Sequence, residues 1–233
     1  MLRQFEQIHT LNKVLIRSNE DLDSFAYVAS HDLKEPLRGI ANYAKFLEED
    51  YADALDEEGA YLIATIRSLS KRMNGLLDAL LTYSRVDRTE LSVGVCDLED
   101  VLDEVTDLLQ VSIQESGVEL RRPTPLPTIE CDRVRVGEIF SNLISNAIRY
   151  RDRQKAVNWV EVGVDVLEGN TWFYVADNGI GIAPEYHETI FMMFRRLHRD
   201  DSVYGKGTGA GLTIVQKIVE RHDGELVLDS TPN

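Results

Sequence analysis

An antiparallel helical hairpin followed by an α/β sandwich is the fold class this sequence predicts, and three observations predict it. Through residue 88, apolar residues recur at alternating spacings of three and four, in two runs separated by an acidic break. After Arg88 the period changes, and short β-favouring runs such as Val93 to Cys96 and Thr128 to Cys131 mix with amphipathic stretches. Glycines then crowd two short segments, 179–181 and 205–211, where turns are expected rather than regular elements.

In the first run Ile8, Leu11, Leu15, Ser18, Leu22, Phe25 and Ala29 form a heptad seam, with Ser18-Asn19 a polar gap in it. One helix packed on a globular core would need no such sustained alternation, so a coiled coil or bundle is expected. Continuing the register puts His31 on the outward face and Asp32 on a core position. Pro36 follows four residues later; it removes a helical hydrogen bond and clashes with the preceding turn, so a bend and a slip of register are expected there. Ile40, Ala44, Leu47 and Tyr51 resume a stripe, and the acidic stretch from Glu48 to Gly59 predicts the hairpin connection. Leu62, Ile66, Leu69, Met73, Leu76, Leu80 and Tyr83 make the second seam. Two helices with one seam each cannot bury both alone. Pairing two hairpins into a four-helix bundle solves this and predicts a homodimer.

The expected boundary lies near residues 88–92, giving domains 1–88 and 89–233. In the second, helices are expected over about 98–115, 132–149 and 212–221. Strands are expected over 157–166 and 172–176, neighbours around Glu168-Gly169-Asn170, with a last strand over 225–229.

Composition narrows the function classes. A hydrophobic fraction of 43% argues for a folded chain rather than a disordered one. With 40 acidic against 25 basic residues the net charge is −15, a surface that repels nucleic-acid backbones and anionic lipid. No apolar run approaches the roughly 18–20 residues of a membrane span, and the N-terminus lacks the charged-then-apolar order of a signal peptide. Cys96 and Cys131 are too far apart for a Cys-x-x-Cys site and are expected as reduced, buried residues. A cytoplasmic protein that binds neither nucleic acid nor membrane is the expectation.

Four constellations carry chemistry. His31 is followed by Asp32: a neutral imidazole is a competent nucleophile toward phosphorus, and the carboxylate can take its proton or hold one tautomer. Asn142 and Asn146 lie one helical turn apart, so both amides face the same way, and one can complete a magnesium shell otherwise supplied by phosphates and water. Arg149 adds a cation near that face. Asp177, at a strand end, can accept a hydrogen bond from an adenine amino group, and Gly179 and Gly181 let the backbone approach the ring. Gly205-Lys206-Gly207-Thr208-Gly209-Ala210-Gly211-Leu212 opens into a helix, an anion site suited to a triphosphate. It has neither the Walker order nor a βαβ setting. Between the glycine motifs, the apolar residues of Phe191 to Leu197 can anchor a lid.

Together these stretches resemble the transmitter region of two-component sensor histidine kinases, most like the phytochrome-type members. The matches are an H-box around His31, an N-box from Asn142 to Tyr150, a G1 box from Asp177 to Gly181, an F-box from Phe191 to Leu197 and a G2 box from Gly205 to Leu212. The resemblance implies a dimerisation and phosphotransfer hairpin followed by a Bergerat-type (GHKL) ATP-binding domain, with ATP and Mg²⁺ as cofactors. It implies His31 and Asp32 as catalytic residues and Asn146 as the metal ligand. Nucleotide contacts would come from Asn142, Asn146, Arg149, Tyr150, Asp177, Gly179, Gly181, Gly205, Lys206, Gly207, Thr208, Gly209, Gly211 and Leu212. The implied partner is a response-regulator receiver domain, with an upstream sensor domain absent from this chain.

Departures from the pattern carry expectations too. Glu35 stands where strong phosphatases of the family have Thr or Asn, so weak phosphatase action is expected. Arg149 replaces the usual Lys. The chain ends at Asn233, before the family's last strand, as expected of a truncated piece. Two other functions fit parts of the pattern. One is a hydrolytic GHKL ATPase, disfavoured because Asn142 holds the place of its water-activating Glu. The other is a non-catalytic dimerising scaffold, disfavoured by the intact Asn146, Asp177 and glycines.

Overall fold

The structure is a computed structural model that describes residues 2–167, 169–197 and 207–232; within the first helix, side chains are described at His9, Lys13 and from Val28 on, and those of Asp87 and Arg88 are not described. The heptad residues Ile8 to Phe25, and Gly205 and Lys206, thus lie outside the described side chains or residues. The chain divides into two compact units, Met1–Arg88 and Thr89–Asn233.

The first unit is a helical hairpin: α1 (Leu2–Asp50), a 3₁₀ turn (Ala52–Ala54) and α2 (Glu57–Arg88). Helix α1 continues through Pro36. Asp56 begins α2 by accepting the Gly59 N–H at 2.8 Å, which satisfies one of the open donors of a first turn.

The hairpin's inner seam follows a different register from the one the apolar residues suggest. Among the described side chains, the buried positions on α1 are Ser30, Leu37 and Ala44, seven apart; on α2 they include Ile63, Ser70, Leu81 and Ser84. Asp32, expected in the core, is exposed, because Ser30 rather than Asp32 takes the inward place. Ile40, Leu47 and Tyr51 are also exposed, and only Ala44 of that expected stripe is buried. The physical reason is size and charge. The two helices approach each other on small side chains interleaved with Leu37, Ile63 and Leu81, flanked by ion pairs of Lys34 with Asp78 and Arg67 with Glu48. The bulky apolar seam of α2, Leu62, Ile66, Leu69 and Met73, is left facing outward together with Leu33, Ile40 and Leu47 of α1.

The second unit is an α/β sandwich. Its elements are β1 (Val93–Asp97), α3 (Leu98–Ser116), β2 (Glu119–Arg121), β3 (Thr128–Asp132), α4 (Arg133–Arg149), β4 (Trp159–Leu167), β5 (Asn170–Asp177) and α5 (Gly211–Arg221), with 3₁₀ turns at Pro184–Tyr186 and Thr189–Phe191. β1 pairs antiparallel with β3; a second sheet runs β2-β4-β5, parallel then antiparallel. Inward residues Val160 and Val162 of β4 meet Leu98, Val101 and Leu102 of α3 and Phe140, Ile144 and Ala147 of α4 in one core. Both cysteines belong to that core and are free, as their wide separation suggested. Cys96 Sγ donates to the Cys131 carbonyl at 3.4 Å. Burial, then the Cys96 thiol, push the Cys131 thiol up to about 12, far from the thiolate that reactive cysteines need.

Capping explains the helix limits. Asp97 accepts the Glu99 N–H at 2.9 Å, and Gly117, at φ 67°, closes α3 by donating to the Ile113 carbonyl. Asp132 caps α4 by accepting the N–H groups of Val134 and Arg135, both at 3.1 Å.

The expected last strand is not one. Residues 225–231 keep a period-two alternation of burial, with Leu226, Leu228 and Ser230 inward, yet form no strand ladder among the described residues. Alternation selects an extended backbone; a strand needs in addition a neighbour in register. Here the Ser230 hydroxyl, accepting the Ile182 N–H at 3.0 Å, holds the segment instead.

Candidate active site

Helix α4 organises the site of the second unit, because three loops converge on its outer face and C-terminal end. Asn142 donates from Nδ2 to the Glu138 carbonyl at 2.8 Å, which leaves Oδ1 turned toward the start of α5. A Cβ added at Gly211 would lie 2.7 Å from that oxygen, so only glycine admits α5 this close. One turn on, half-buried Asn146 makes no side-chain hydrogen bond among the described residues. The Arg149 guanidinium lies against Gly207, so close that a side chain at Gly207 would overlap it.

Tyr150 contributes through its backbone. Its N–H donates to the Asn146 carbonyl at 2.9 Å, ending α4, and its own carbonyl accepts the Ile180 N–H at 3.0 Å. A Cβ at Gly179 would come within 2.5 Å of that carbonyl. The loop after β5 is therefore sewn to the end of α4 by a residue pair no side-chain pattern announces.

Asp177 ends β5 with its carboxylate exposed, and its Oδ1 accepts the Gly179 N–H at 2.7 Å. Oδ2 remains to accept a ligand donor. Gly181 adopts φ 70° and passes against the Thr231 carbonyl, where no side chain fits.

At the second glycine segment the described residues are 207–212. Gly209 adopts φ 74°, and a Cβ there would meet the Arg195 carbonyl at 2.6 Å. Thr208 Oγ1 accepts the Ala210 N–H at 3.4 Å. Helix α5 begins at Gly211 without a side-chain cap, so its first N–H groups stay open to an anion. The intervening stretch is fastened here: Thr213 Oγ1 donates to the Phe191 carbonyl at 2.7 Å, and Phe194 is held at φ 63°, unusual for a residue with a side chain. Phe194 and Met192 are exposed.

In the hairpin unit, His31 Nδ1 and Asp32 Oδ1 stand 3.3 Å apart, with both side chains open to solvent. The carboxylate on Nδ1 favours the tautomer whose Nε2 lone pair faces outward. Among the described residues no three His, Cys, Asp or Glu side chains cluster as a metal cage. The Asn146 amide, expected from the sequence as a metal ligand, lies half-buried on α4 one turn beyond Asn142.

Two bridges escaped sequence reading. His222 Nε2 accepts the Asp132 N–H at 3.1 Å while Nδ1 faces the Ile218 carbonyl at 2.8 Å, tying the end of α5 to the start of α4. Lys155 donates to the Asn178 carbonyl at 2.7 Å. Neither pair is close in sequence, so no spacing pointed to them.

Comparison with known proteins follows the same division. Residues 21–89 match the family of His Kinase A (phospho-acceptor) domains, and residues 131–233 match the family of histidine kinase-, DNA gyrase B- and HSP90-like ATPases. The chain belongs to the two-component sensor histidine kinases, as a transmitter region closely related to the phytochrome-type members. It is 50% identical, over 99% of its length, to cyanobacterial phytochrome B of Nostoc sp., and 39% identical, over 100%, to phytochrome-like protein Cph1 of Synechocystis sp.. The chain spans 30% of the length of each of those relatives. Among solved structures, full-length ShkA in complex with AMPPNP aligns with a TM-score of 0.62 at 26% identity, covering 89% of this chain and 44% of that one. The histidine kinase AdeS of Acinetobacter baumannii aligns at 0.53 and 22% identity, over 82% and 86%, a likeness of fold.

Proposed function

We propose that this chain binds MgATP in its second unit and phosphorylates its own His31, then passes the phosphoryl group to an aspartate of a response-regulator receiver domain. The observation that carries this reading is the convergence on α4 of Asp177, the 179–181 turn and the 207–211 glycines, in a chain that also presents an exposed His31–Asp32 pair. An acceptor carboxylate for adenine beside an open helix start for phosphates makes a nucleotide site. An unpaired imidazole nitrogen makes a phosphoryl acceptor.

The chemistry balances on the residues present. His31 Nε2 attacks the γ-phosphorus in line; the N–P bond forms as the bond to the β,γ-bridging oxygen breaks, and ADP leaves with that electron pair. The Nδ1 proton passes to Asp32, so the product is neutral at the ring. Asn142, Arg149 and the α5 N–H groups orient and neutralise the phosphates. A magnesium ion held through Asn146 and the phosphates would offset charge developing on the phosphate oxygens. Gly205, Lys206, Thr208 and Leu212 belong to the same proposed nucleotide loop.

The protein would act as a homodimer, with the outward apolar seams of two hairpins closed against each other. Input would arrive along α1 from an upstream sensor domain. Incubation with γ-labelled ATP and Mg²⁺ tests the reading. Acid-labile, base-stable label is expected on the parent chain and absent from His31→Ala and Asn146→Ala. Label that survives His31→Ala would put the acceptor elsewhere and end this assignment.

A further inference from the structure

Resting on that nucleotide reading, we infer that Lys155 is a positioning residue for base selectivity: it pins the Asn178–Gly179 peptide whose N–H holds the adenine-binding carboxylate of Asp177. Lys155 lies outside the motif stretches, in the loop between α4 and β4. A turn presents it there: the Lys155 N–H donates to the Asp152 carbonyl at 3.2 Å, and Asp152 Oδ1 accepts the Gln154 N–H at 2.9 Å.

One peptide plane joins Lys155 to Asp177. The Asn178 carbonyl and the Gly179 N–H belong to the same trans unit and point in opposite directions. Lys155 Nζ donates to the carbonyl end at 2.7 Å, and the N–H end donates to Asp177 Oδ1 at 2.7 Å. A cation on the carbonyl also polarises the peptide, which strengthens the bond its N–H makes.

Elsewhere the residue is already fixed. Asn178 Oδ1 accepts the Trp159 N–H at 2.9 Å, and its Nδ2 donates to the Val157 carbonyl at 2.9 Å. Rotation of the 178–179 peptide is the motion these side-chain bonds do not themselves oppose, and the Lys155 bond to its carbonyl opposes it directly. Rotation would swing the N–H off Asp177 and let the carboxylate turn. With the plane held, Oδ2 has one direction in which to accept a donor. Adenine offers an amino group there; guanine offers a carbonyl oxygen, which a carboxylate repels. Lys155 thus acts on discrimination between the two bases while touching neither.

Three proteins test this: the parent chain, Lys155→Met, which keeps the aliphatic stem without the donor, and Lys155→Arg, which keeps a cationic donor. Each is titrated with ATP and with GTP in Mg²⁺, and the Gly179 amide proton is followed by NMR without nucleotide. Loss of one hydrogen bond corresponds to about a five-fold weaker ATP affinity for Lys155→Met. GTP affinity is expected to move less, so the ATP preference narrows, and Lys155→Arg keeps it. The Gly179 amide proton is expected to resonate further upfield in Lys155→Met than in the parent, and in that variant alone. An unmoved amide and an unchanged ATP preference in Lys155→Met would overturn the inference, as would an equal fall in both affinities, the mark of a general structural loss. If the parent takes up no ATP while the amide still shifts, the peptide clamp stands and the nucleotide reading, with the selectivity built on it, fails.

Discussion

Asp132 shows how much one side chain can hold. Its carboxylate accepts the Ser92 N–H at 2.9 Å and both capping N–H groups of α4, while its own N–H donates to His222. Burial alone would raise its pKa, but the N–H groups of Ser92, Arg135 and Val134, with the Arg135 charge, outweigh burial and hold the carboxyl below its ordinary value. A carboxylate depressed on folding stabilises the native state above its unfolded pKa, about 3.9, and that stabilisation is lost as pH falls through the lower, folded value. Asp132→Ala is expected to cost the second unit about 1–2 kcal/mol at neutral pH in urea unfolding. Asp132→Asn, still a good cap, should retain most of the stability at pH 7 and flatten its decline below pH 4. A parent-like acid limb in Asp132→Asn would move that decline to other carboxylates.

At the scale of elements, α1 poses the clearest question, since it runs unbroken through Pro36. Proline leaves the Asp32 carbonyl without its i+4 donor and crowds it, one turn past the proposed phospho-acceptor. Pro36→Ala is therefore expected to stabilise the hairpin by about 1–3 kcal/mol in thermal unfolding. A less stable variant would show that neighbouring contacts depend on the proline's backbone. The same helix marks where sequence reading succeeded and stopped. Period and composition located the hairpin, the two-layer α/β unit and nearly all of its strands and helices, because burying one face leaves a period in the sequence. They placed Ala44 correctly but misjudged the rest of the α1 face that turns inward, because Ser30 takes a buried place by smallness, which an apolar pattern does not register. They also turned residues 225–229 into a strand, since alternation is local and a ladder is not. For the candidate site, the glycines and Asp177 were legible because backbone approach and carboxylate chemistry restrict residue type. The Tyr150 carbonyl and Lys155 were not, since any residue supplies a carbonyl and lysine is common on surfaces.

At the scale of the whole molecule, the sorting of apolar residues in the first unit argues for a second copy. The hairpin's inner seam mixes Ser30, Ala44, Ser70 and Ser84 with Leu37, Ile63 and Leu81, while Leu62, Ile66, Leu69 and Met73, spaced four, three and four, face solvent at 43–53% exposure. Leu33, Ile40 and Leu47 add a seven-residue repeat on α1, each more than two-fifths exposed. A lone hairpin gains nothing from that order, whereas two hairpins bury both seams at once. Because these side chains are outside the hairpin's own core, Ile66→Glu with Leu69→Glu should preserve each helix while placing charges in the proposed bundle centre. Sedimentation is expected to give a dimer for the parent chain and a monomer for the double variant. ATP affinity of the variant should match the parent, because the residues of the proposed nucleotide site all belong to the second unit. Label on His31 should fall if the bundle is what presents the imidazole. A parent chain that sediments as a monomer, or a double variant that remains dimeric, would remove these seams as the interface and leave their outward order without a purpose.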